Sequence, residues 1–160
     1  MYHDQFNELA FAPVDFNPKA MVDEWSGDYG VGCKYLSQDA VIKLAKAAKI
    51  KINPKLTLAE QLKFVQALHE KGDKRAHEIF KTIGDYLAYA LAYYSEFYEI
   101  RHVLLLGRVT SGKGGNTIIK EAKTRLKQEF PKLKINLFMP TEYIRRVGQA
   151  IAAASLGNKK

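Results

Sequence analysis

The stretch GRVTSGKGG, residues 107–115, sets Gly107, Gly112, Gly114 and Gly115 around a lysine and two hydroxyl residues. The apolar run HVLLL precedes it and NTIIKEAKTRL follows, so it reads as a turn between a strand and a helix. Such a turn can hold a nucleotide. Backbone N–H groups and the positive end of the helix face the ligand, and glycine leaves the room that a Cβ would fill. Gly107, Gly112 and Lys113 fit the phosphate-loop pattern G-x-x-x-x-G-K-[ST] at every position but the last, where Gly114 replaces the hydroxyl residue that would hold magnesium. The later strand KINLF also ends without the aspartate such a site needs. A phosphate loop is therefore disfavoured. Two readings stay open: a turn shaped for part of a nucleotide, and a turn that only reverses the chain.

Other residues could do chemistry, but bland readings suit them better. His69-Glu70 and His77-Glu78 form two His-Glu pairs, yet an H-E-x-x-H metal site needs both histidines on one helix face, and Gly72 and Asp73 interrupt the helix between them. They read as surface helix residues. His102 reads as a partly exposed residue at a strand entrance, without a carboxylate at a telling spacing. Asp15, Asp23, Glu24 and Asp28 read as loop-holding acids that accept local backbone N–H groups.

The elements that would position the glycine turn are legible from caps and periodicity. Ser37 is the N-cap of a helix carrying Val41, Leu44, Ala45 and Ala48 on one face. Thr57 and Glu60 make a capping box, and Gly72 closes that second helix. From Asp73 a long helix keeps an i, i+3/i+4 rhythm through Tyr94; its length suggests packing across a sheet. Strand, glycine turn, helix, strand KINLF and a last helix over 141–156 follow, the last burying Ile144, Val147 and Ile151. The first 35 residues, rich in proline and glycine, read as irregular or short-strand structure.

Composition sets outer bounds. With 160 residues, 47% hydrophobic and 26% charged, the chain is one globular domain over 1–160 of α/β class. A formal charge of +8 suits an acidic partner, but the lysines are dispersed along helices, so nucleotide is a better expectation than nucleic acid. A lone Cys33 cannot form an internal disulfide, which points to a reducing cytoplasm. No apolar stretch approaches the roughly 20 residues of a membrane span.

Four stretches in order, NELAFAPVDFNP, GVGCKYLSQDAV, GDKRAHEIFKTIGDYLAYALA running into HVLLLGRVTSG, and EYIRRVGQAIAAASL, resemble the C-terminal half of the ROK family of sugar kinases and repressors in the actin-like ATPase superfamily. The resemblance implies the C-terminal lobe of an actin-like (ribonuclease H-like) fold, a small β-sheet covered by several long helices. It implies an adenosine-binding turn with Gly107 on the family's first glycine, Arg108 on its second, and Ser111, Gly112, Gly114 and Gly115 in the loop and helix start that follow. Arg108 departs from the family's glycine. Glu8 stands on the acid of the sugar-contacting E-x-G-H, whose histidine is replaced by Phe11. Of the zinc-binding cysteines only Cys33 is kept, Ser26 and Asp28 replacing two others, and Tyr35 stands for the acid that follows, so no zinc is expected.

The phosphate hairpins and catalytic aspartate belong to the family's N-terminal lobe, which this chain is expected to lack. The implied function is the adenosine-binding lobe of an ATP-dependent sugar kinase, catalytically incomplete alone, with magnesium only in the full-length fold. The alternative is a non-catalytic dimerisation or regulatory module. The expected partners are a nucleotide, a sugar in the full-length fold, and either a second copy or a separate N-terminal lobe.

Overall fold

The computed structural model describes residues 9–140 and Ile144. The described chain is a mixed α/β structure, mostly helical, with a small parallel sheet. A 3-10 turn at Leu9–Phe11 leads into a segment tied by isolated antiparallel bridges between Pro13 and Val31 and between Val22 and Tyr29. A short helix α1 (Gly32–Tyr35) follows, where the proline- and glycine-rich sequence predicts irregular or short-strand structure. Then come α2 (Gln38–Ala47), α3 (Leu58–Glu70), α4 (Lys74–Tyr94), β1 (His102–Leu104), a 3-10 turn (Arg108–Thr110), α5 (Gly112–Glu129) and β2 (Asn136–Phe138).

The expected caps are in place. The Ser37 side chain accepts the Asp39 N–H, Thr57 and Glu60 form the full capping box, and Asp73 accepts the N–H groups of Arg75 and Ala76. Each satisfies donors that a helix start leaves without intrahelical partners.

The helix α4 packs chiefly along α5 rather than across a sheet. The reason is a strip of small residues: Ala88 and Ala122 are fully buried, and a Cβ at Gly84 would fall 2.7 Å from the Ile118 carbonyl oxygen. Phe80, Ile83 and Ile118, with Leu62 and Val65 from α3 and Val41 from α2, fill one continuous core.

The strands β1 and β2 pair in parallel, joined through α5, with His102 opposite Asn136 and Leu104 opposite Phe138. One face of this sheet is inward, where Leu137 is buried and Val103 and Leu105 are half-buried. The other face carries Leu104, Leu106 and Phe138, all exposed, with the His102 ring stacked on Phe138 at 5.8 Å between centroids. Ile144, expected to be buried, is 52% exposed. The rest of the expected last helix, and Glu8, lie outside the described residues. No helix among the described residues is long and apolar enough to cross a membrane.

Candidate functional site

The glycine turn begins where the ladder ends. The Leu105 N–H donates to the Phe138 carbonyl at 2.8 Å, and two residues later Gly107 turns the chain with φ +112°, a conformation that L side chains rarely adopt. The turn then closes on itself. The Thr110 hydroxyl and N–H both donate to the Gly107 carbonyl, and the Gln66 amide of α3 donates to the Arg108 carbonyl at 3.0 Å.

The four glycines are there for different reasons. A Cβ on Gly107 would meet nothing within 4 Å, so this position borders open space. Gly112 has φ +63°, and a Cβ there would lie 3.1 Å from a Glu70 carboxylate oxygen. Gly114 and Gly115 are buried. A Cβ on Gly114 would press the Phe80 ring at 2.8 Å, and one on Gly115 would strike the Thr110 carbonyl oxygen at 2.0 Å. Of the sequence-predicted residues, then, Gly114 and Gly115 serve close packing, and Gly107 is the one whose missing side chain borders open space.

The start of α5 is already engaged from within. Glu70, the last residue of α3, accepts the Lys113 N–H at 2.8 Å, and the Lys113 ammonium donates back to the His69 carbonyl at 3.3 Å. An acid thus sits at a helix N-terminus and a cation at a helix C-terminus, the favourable sense for both dipoles. Lys113, the residue that suggested a phosphate loop, caps α3.

His69 corrects the surface reading of the His-Glu pairs. It is 1% exposed, stacked on Phe80 at 5.1 Å and near His77 at 5.2 Å between ring centroids. The Thr117 hydroxyl donates to the Lys113 carbonyl, so its oxygen accepts from His69 Nε2–H at 3.0 Å. That assigns the proton to Nε2 and leaves Nδ1 buried without a partner. Burial, then the nearby His77 and Lys113, lower the His69 pKa. Its burial follows from the α3–α4–α5 junction, which local spacing does not reveal.

Gly107 and Arg108 open onto a cleft of about 460 Å³ that Asp23, Cys33, Ser37 and Asp39 also line. Ser111, Gly112, Gly114 and Gly115 do not line it. The opposite wall is held by Lys34, whose buried ammonium bonds Glu24 at 2.7 Å and Asp39 at 2.9 Å. Burial alone would lower the Lys34 pKa, but these two carboxylates outweigh it and hold the group above its ordinary value. The Cys33 thiol lies 3.7 Å from Asp23, and burial together with that carboxylate raises its pKa. Among the described residues no group of three or more His, Cys, Asp or Glu side chains is placed to hold a metal ion. Tyr35 donates its hydroxyl to Asp15 and accepts the Met21 N–H at 3.1 Å, so it locks the strand-like segment before α1.

Fold and cleft together define a mostly helical α/β protein with a glycine turn bordering a polar cleft. Comparison with protein-family models, curated proteins and solved structures finds no match for the chain.

Proposed function

We propose that the chain is the adenosine-binding C-terminal lobe of a ROK-like sugar-kinase fold in the actin-like superfamily, incomplete for phosphoryl transfer by itself. The observation that carries this reading is the cleft of about 460 Å³ bounded by Gly107 and Arg108 on one side and by Asp23, Ser37 and Asp39 on the other. Its volume lies within the range of small-molecule sites. Its carboxylates can accept from ribose hydroxyl donors, while the exposed Arg108 guanidinium can stack on a base. The α5 N-terminus, where a phosphate would otherwise bind, is engaged by Glu70. On this reading the adenosine end lies in the cleft, and the phosphate end, its magnesium and the sugar are held by the elements that the resembled family carries in its N-terminal lobe.

Thermal unfolding with adenosine and with ADP tests this. Ligand that binds only the folded state stabilises it by RT ln(1 + [L]/Kd), about 2.7 kcal/mol at a hundredfold excess over Kd. Both ligands should raise Tm, and Gly107→Val should abolish the rise by projecting methyl groups into the cleft. No rise at millimolar ligand, or an equal rise in Gly107→Val, would overturn the assignment.

A second reading, a non-catalytic dimerisation or regulatory module on the same fold, is favoured by the exposed apolar face of Leu104, Leu106 and Phe138. Light scattering decides between them: a monomer that binds adenosine supports the first reading, and a dimer without nucleotide binding supports the second.

A further inference from the structure

Among the described residues, the strand β1 is hydrogen-bonded along one edge only. The Asn136 N–H donates to the Arg101 carbonyl and the Leu105 N–H to the Phe138 carbonyl, so the odd-numbered residues face β2. In a parallel ladder the N–H and C=O groups of the residues between them, His102 and Leu104, then point to the opposite edge. No described residue pairs with them there. Unpaired backbone groups in a row are a template for another strand.

Beside this strand runs a groove of about 1000 Å³, which every residue of β1 lines. Leu87, Leu91 and Tyr94 of α4 line it too, with Leu9 and Leu36. Its charged lining residues, Glu99 and Arg101, are bonded to each other. The groove therefore offers backbone hydrogen bonds to its occupant along β1 and apolar contacts over α4, and it leaves no described charge wanting a partner.

We infer that this edge of β1, unpaired among the described residues, and the groove beside it receive an uncharged β-strand of a separate partner protein, added beside His102 and Leu104. A charged side chain facing α4 would be desolvated against Leu87 and Leu91 without a counter-ion. A second copy of the chain is the poorer occupant: each copy carries a formal charge of +8, which opposes close association. A compact small molecule would leave the alternating backbone groups of the edge unpaired, whereas an extended strand satisfies them and sets alternate side chains on α4. Cys33, Leu36 and Ser37 line both this groove and the Gly107 cleft, so the docked strand would run up to that cleft. Strand docking needs only backbone and apolar contacts, and it is independent of nucleotide in the neighbouring cleft.

The probe is the blocked peptide acetyl-Thr-Val-Thr-Val-Thr-Val-Thr-amide, with two variants: the central valine replaced by lysine, and the backbone N-methylated at alternate residues. Amide hydrogen exchange is read residue by residue by NMR, without nucleotide. In the free chain Val103 and Leu105 should exchange slowly and His102 and Leu104 fast. Saturating peptide should slow His102 and Leu104 by about tenfold or more, and neither variant should do so. Four results would overturn the inference. One is no protection at millimolar peptide. A second is equal protection by the lysine or N-methyl variant, and a third is protection by adenosine alone. The last is protection in the free chain that grows with its own concentration, which would make a second copy the occupant.

Discussion

Replacing Gly115 by alanine separates a packing glycine from a ligand-facing one. The added methyl carbon would sit 2.0 Å from the Thr110 carbonyl oxygen and 2.6 Å from the carbonyl carbon, with Met139 Sδ at 3.0 Å. The first two are backbone atoms, so no side-chain rotation relieves the clash; the 3-10 turn at Arg108–Thr110 must move away from α5. Overpacking of this kind costs about 1–3 kcal/mol, and a backbone partner puts it at the upper end, about 3 kcal/mol. Alanine returns about 1 kcal/mol of helix propensity over glycine, leaving a net loss of about 2 kcal/mol. At about 2–4 °C per kcal/mol for a domain of this size, Tm should fall by about 4–8 °C. Circular dichroism melts and urea titrations read the change. Asn116→Ala, at the next and exposed position of α5, gains propensity without a clash and should be neutral or slightly stabilising. If Gly115→Ala is as stable as the parent, the close approach of Thr110 to α5 is refuted, and with it the assignment of Gly115 to packing.

Other substitutions give independent readings. Phe80→Ala removes a ring with no exposed surface that touches both His69 and the α5 start, and should cost about 3–5 kcal/mol in urea unfolding. His69 has a folded pKa below its ordinary 6.5, so the unfolded chain takes up its proton first. Stability is fully present above pH 6.5 and declines as pH falls through that value toward the lower folded pKa; a His69→Phe variant should melt with a flatter pH dependence across that window. Tyr35→Phe removes the hydroxyl that is the largest cause of the depressed Asp15 pKa, so an NMR titration should show the Asp15 carboxyl moving up toward 3.8. Glu70→Ala leaves the Lys113 N–H without its acceptor and should lower Tm, whereas Glu78→Ala, on the exposed face of α4, should change it far less.

The helices were legible because their signals are local. A cap and the donors it satisfies lie within three residues, as in Thr57 and Glu60, and an amphipathic stripe repeats within a turn. The four-residue α1 was not legible, since it is too short to show a period. Nor was the surface of α4. A long apolar rhythm gives the buried face but not its partner, and α4 met α5 because Gly84, Ala88 and Ala122 allow two helices to touch. The exposed apolar face of the sheet was equally hidden, because three-residue strands carry no alternation long enough to show which side faces out.

The same limit divides the candidate site. Sequence pattern weighed Gly107, Gly112, Gly114 and Gly115 together because each could admit a nucleotide backbone contact. What separates them is what stands opposite: open cleft at Gly107, the Glu70 carboxylate at Gly112, the Phe80 ring at Gly114 and the Thr110 carbonyl at Gly115. Glu70 and Phe80 come from α3 and α4, far upstream in the chain. Lys113 reverses its apparent meaning for the same reason, because its nearest acceptor is the His69 carbonyl. A glycine-rich turn is thus a statement that something approaches closely. Whether that something is a ligand or the protein's own α3 and α4 is decided by the fold, and here Gly112, Gly114 and Gly115 face the protein itself while Gly107 borders the open cleft.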